Sequence, residues 1–122
     1  MEIVVSERDT VTIVTVTGRM ETDDAFRLKK KLGELRHAGA RFFIIDLQSV
    51  LFLNSYALGI LIHIRRETKN ASGELVLAAP EDNIRLLFNM VGLGQIIEIF
   101  PTVDKAIQQL KQVSVNSGSS NS

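Results

Sequence analysis

The sequence predicts an α/β domain, a small mixed sheet of about five strands with about four helices. Three observations carry this. At 122 residues, 45% apolar and 23% charged, the chain has the size and apolar content for one core. Strand-length β-branched or apolar runs alternate with segments that are apolar at helical spacing, in the order strand, strand, helix, strand, helix, strand, helix, strand, helix. Every connection after the first hairpin is long enough for a crossover between parallel strands.

The elements follow in order. Glu2 to Val5 and the run Val11, Ile13, Val14, Val16 read as two strands joined by the polar turn Glu7, Arg8, Asp9, with Gly18 closing the second. Thr22, Asp23 and Asp24 offer an N-cap and an acidic first turn to a helix from about Asp23 to His37. Its apolar residues are Phe26, Leu28, Leu32 and Leu35, and Gly39 ends it. Arg27, Lys29, Lys30, Lys31 and Arg36 make its other face a solvated one. Phe42, Phe43, Ile44 and Ile45 are apolar without alternation, which suits a central strand covered on both faces.

A short connection through Gln48, Ser49 and Val50 leads to Leu51, Phe52 and Leu53. A helix then runs to about Asn70 through Ala57, Leu58, Leu61 and Ile62, capped by Asn54 or Ser55. Ser72 and Gly73 precede a strand of Leu75 to Ala78, and Pro80 sits near the start of a helix carrying Ile84, Leu87, Phe88 and Val91. Gly92 stops that helix in a left-handed conformation. Ile96, Ile97, Ile99 and Phe100 form a last strand, and Thr102 opens a final helix with Val103, Ala106, Ile107 and Leu110. The domain therefore occupies residues 1–112, and 113–122 is a Ser/Asn/Gly tail too polar to order itself.

Composition narrows the chemistry. Fourteen Lys and Arg balance fourteen Asp and Glu, so no overall positive field favours nucleic acid. Without cysteine there is no disulfide, thiolate metal site or thiol nucleophile. No apolar run approaches the about 18 residues of a membrane helix and the N-terminus does not read as a signal peptide, so a cytoplasmic protein without direct membrane insertion is expected. His37 and His63 lie on different helices with no metal-ligand spacing. Asn54-Ser55-Tyr56-Ala57 is not a nucleophile elbow, and Gly92 and Gly94 belong to no phosphate loop. No catalysis, cofactor or metal is expected.

Ser55 is the informative residue. It follows a buried-type strand and opens a helix, where unpaired N–H groups and the dipole would accommodate a phosphate. It reads either as a helix cap or as a phosphorylation switch.

The chain resembles the STAS domains, the family of sulfate transporters and anti-sigma factor antagonists, over about Glu2 to Leu110. The landmarks are Gly18-Arg19-Met20-Glu21, Ile44-Ile45-Asp46-Leu47 with Val50 and Phe52, Asn54-Ser55-Tyr56-Ala57-Leu58-Gly59, and Arg85-Leu86-Leu87-Phe88 with Gly92-Leu93 and Ile96-Ile97. The resemblance implies a regulatory binding module of the anti-sigma factor antagonist kind, without enzymatic activity. Its partner would be a serine-kinase anti-sigma factor, which phosphorylates a serine at the start of the second helix, and a metal-dependent phosphatase would reverse the step. Ser55 aligns with that serine, and the implied partner surface comprises Arg19, Met20, Glu21, Asn54, Ser55, Tyr56 and Leu58.

The family motif is commonly Asp, Ser, Ser or Thr, then Gly, whereas this chain has Asn54, Ser55, Tyr56 and Ala57, with Glu21 where the family has Asp. That departure motivates an alternative, a constitutive STAS scaffold subunit of a membrane lipid-transport complex that is not phosphorylated. A small-ligand or nucleotide sensor is a third, weaker reading. Leu51 and Leu53 read as core; the other possibility is an exposed docking patch with Tyr56.

Overall fold

The computed structural model describes residues 1–119. The chain forms β1 (Glu2–Arg8), β2 (Val11–Met20), α1 (Thr22–His37), β3 (Phe42–Leu53), α2 (Ser55–Asn70), β4 (Glu74–Ala78), α3 (Asp82–Val91), a 3-10 turn (Leu93–Gln95), β5 (Ile99–Phe100) and α4 (Val103–Ser119). The expected tail overlaps the end of α4, and residues 120–122 lie outside the described residues. One sheet runs β1-β2-β3-β4-β5, antiparallel between β1 and β2 and parallel thereafter, with β3 at its centre as expected.

The sheet is covered on both faces. Phe43, Ile45, Leu47, Leu75 and Leu77 pack with Leu28 and Leu32 of α1, Leu61 and Ile64 of α2 and Phe88 of α3. Val11, Ile13, Ile44, Val76 and Ala78 on the opposite face pack with Ala106, Ile107 and Leu110 of α4. Covering on both sides explains the unalternating run at Phe42 to Ile45.

Four expectations need correction. β3 does not end before Gln48; it continues through Leu53. Along it, β2 and β3 fall out of step between Thr15 and Thr17 and between Gly18 and Arg19, each time with an extra residue on β3. These bulges stretch the buried spacing to Leu47, Val50 and Leu53 and turn Leu51 out to 67% exposure. Phe26, expected on the apolar face of α1, is 51% exposed, because the buried stripe is Ala25, Leu28 and Leu32. The N-cap of α1 is Glu21 rather than Thr22, and its backbone N–H donates to Asp24 Oδ2 at 3.0 Å. Finally, β5 keeps only Ile99 and Phe100, while Ile97 is buried behind the 3-10 turn. Gly92 takes the left-handed conformation at the end of α3, as expected.

Candidate functional site

Parallel strands end at the same edge of a sheet, so the helices that follow them start there together. Met20 at the end of β2 pairs with Leu53 at the end of β3. Glu21 and Asn54 therefore cap α1 and α2 side by side. Asn54 Oδ1 accepts the Ala57 N–H at 2.8 Å, and Asn54 Nδ2 donates to Thr22 Oγ1 at 3.2 Å, tying the two helix starts together. The Asn54 N–H donates to the Met20 carbonyl at 3.2 Å.

Of the four N–H groups that open α2, two are thus satisfied. Those of Ser55 and Tyr56 have no acceptor among the described residues. Ser55 is exposed at the first helical position, so its hydroxyl stands in solvent beside two free donors and the positive end of the α2 dipole. An anion attached there meets favourable charge rather than a packed neighbour. Of the two caps expected for α2, Asn54 is the one that acts.

Around Ser55 the rim carries aromatic rings and an exposed ion pair. Tyr56, 40% exposed, lies against Phe26 with ring centroids 5.3 Å apart, tilted by 45°. Arg19 extends over the Phe52 ring, with 4.3 Å from its guanidinium carbon to the ring centroid, and reaches Glu21 at 3.4 Å. That ion pair is solvent-exposed and contributes little stability, so both charges are available to a partner. Leu58 is half-buried behind them.

The structure brings Glu21, Asn54, Ser55 and Tyr56 together at this rim, with Arg19 beside Glu21. Met20 is a correction, since it is fully buried in the core and its side chain presents nothing to a partner. Phe26 was missed as a surface residue, and Leu51, read as core, is exposed together with Phe52, the alternative the sequence left open. Phe26 sits next to the buried Ala25, off the Leu28 and Leu32 stripe, and that offset was a readable signal; the outward turn of Leu51 depends on bulges that leave no sequence mark.

His63 Nε2 lies 3.1 Å from Glu67 Oε1 on the same helix, and among the described residues no group of three or more His, Cys, Asp or Glu could hold a metal. No described helix is long and apolar enough to cross a membrane.

This sheet order, with its helix start and exposed serine at the rim, describes a small α/β domain with a mixed five-stranded sheet. The STAS domain model matches residues 2–106, and the chain belongs to that family. It is 31% identical over 100 residues to the anti-sigma-B factor antagonist of Listeria monocytogenes, covering 81% of this chain and 88% of that protein. An anti-sigma factor antagonist from Mycobacterium paratuberculosis superposes with a TM-score of 0.81 at 25% identity, over 90% of this chain and 93% of that one. The anti-sigma factor antagonist SpoIIAA in its unphosphorylated form superposes with a TM-score of 0.77 at 18% identity, over 91% of this chain and 97% of its own. The phosphorylated form of SpoIIAA, a Bacillus cell fate determinant, gives 0.68 at 19% identity, over 88% of this chain and 98% of its own.

Proposed function

We propose that this protein is an anti-sigma factor antagonist that docks on a serine-kinase anti-sigma factor through the rim of Arg19, Glu21, Asn54, Ser55, Tyr56 and Leu58, and that phosphorylation of Ser55 ends the contact. The observation that carries this reading is the exposed Ser55 hydroxyl at the first position of α2, beside two uncapped N–H groups. The relatives named as antagonists, and the occurrence of SpoIIAA in a phosphorylated form, support it. It acts by binding, in the cytoplasm, with a phosphatase restoring the hydroxyl.

The physical logic is local. A phosphate adds about 1.5 to 2 negative charges, and the start of α2 stabilises rather than opposes them, so the fold survives. The same charge stands next to Tyr56, which packs on Phe26, and an interface that covers these rings has to desolvate it. Asn54 keeps the cap on α2 at the position where the family motif has Asp.

The test is affinity capture from the native cells with wild type, Ser55→Ala and Ser55→Glu as parallel baits. Wild type and Ser55→Ala retain a serine kinase of the anti-sigma type, and Ser55→Glu loses it. Retention of a transport ATPase by all three baits refutes the switch and favours the scaffold reading.

A further inference from the structure

The sheet ends differently at its two edges. β5 closes one side with only two residues, whereas β1 leaves the other side open along seven. Natural edges are guarded by shortness, proline, bulges, charge or a covering element. β1 pairs with β2 without a shift from Glu2 to Arg8, contains no proline, and carries no charge across Ile3-Val4-Val5-Ser6. Nor is it covered. Arg8 reaches Asp104 on the α4 side and Ile3 packs into the core on the α1 side, but α4 itself lies over β2, β3, β4 and β5. Val4 is left 55% exposed and Val5 36%.

The strand is also self-complementary. Two copies meeting edge to edge about a two-fold axis run antiparallel, and outward-facing N–H and C=O groups fall on alternate residues, so the axis must pass through a residue position. Centred on Val5, the pairing sets Glu2 of each copy opposite Arg8 of the other, Ile3 opposite Glu7, Val4 opposite Ser6, and Val5 opposite Val5. Centred on Val4 or Ser6, it leaves part of β1 unpaired and brings no opposite side-chain charges together. Arg8 is free to take part, because its contact with Asp104 is a solvent-exposed ion pair.

We propose that β1 is the contact between two copies of this chain, joined antiparallel in the register centred on Val5 so that one sheet runs through both. The two-fold axis then stands perpendicular to the sheet. The α1 sides of both copies share one face and the α4 sides the other. The Ser55 rims point in opposite directions, so each stays open, and the dimer does not depend on what the rim binds.

Sedimentation of the full chain across the micromolar range tests this. Wild type shifts from monomer to dimer with concentration. Val5→Lys stays monomeric with an unchanged circular dichroism spectrum. Glu2→Arg or Arg8→Glu alone weakens association by about tenfold, since each puts two like-charge pairs at the interface. The double variant Glu2→Arg, Arg8→Glu restores it, although it still lacks the Arg8 to Asp104 contact. A wild type that remains monomeric overturns the proposal, and so does a double variant no better than the single ones.

Discussion

Asn54 does two jobs with one side chain. Its oxygen caps α2 through the Ala57 N–H, and its nitrogen holds Thr22 at the start of α1. Asn54→Ala removes both bonds and costs about 1 kcal/mol, read as a lower denaturant midpoint with an unchanged slope. Asn54→Asp keeps the acceptor, loses the donor and adds negative charge at a favourable helix end, so it recovers most of that loss. Equal destabilisation by the two variants would mean that the bond to Thr22, rather than the cap, matters. The sequence offered Asn54 and Ser55 as equivalent caps, since both side chains accept hydrogen bonds. Position separates them: Asn54 has the extended backbone of an N-cap and accepts the Ala57 N–H, whereas Ser55 is the first helical residue and its hydroxyl makes no hydrogen bond among the described residues.

At the scale of elements, the elongated β3 decides what the rim presents. Its two bulges turn Leu51 and Phe52 outward between the buried Val50 and Leu53. Leu51→Ser and Phe26→Ala therefore leave the melting temperature within a degree or two, because neither side chain fills the core. Both weaken binding of the captured kinase, measured by titration calorimetry, by about tenfold or more. Loss of stability in step with binding would instead assign them to packing. Helices and central strands were legible because their apolar spacing is set by burial, as at Leu61, Ile64 and Phe88. The bulges were not, because an extra residue on one strand has meaning only against the register of its neighbour. Met20 shows the converse: its place in a loop-like motif suggested surface, while its pairing at the end of β2 puts it in the core.

For the whole molecule, the question is where the folding unit stops. The family match ends at residue 106, yet α4 makes its main contacts at and beyond that point, with Ala106, Ile107 and Leu110 covering Val11, Ile13, Ile44, Val76 and Ala78. A chain ended at residue 106 loses Ile107 and Leu110, each worth about 1.5 to 3 kcal/mol of burial, and also uncovers the sheet face beneath them. Against a total stability of about 5 to 15 kcal/mol for a domain of this kind, that loss is large enough to populate unfolded or aggregated chains. A chain of residues 1–112 retains all three contacts and melts with the full-length protein. Thermal unfolding of the two truncations, with amide exchange on β2 and β4, distinguishes them. If the 1–106 chain keeps slow exchange at Val14 and Leu77, the face built from α1, α2 and α3 stabilises the sheet alone and α4 is an accessory cover. If it does not, the α4 layer is part of the minimal fold, and the domain needs both of its faces closed before the Ser55 rim can be held in place.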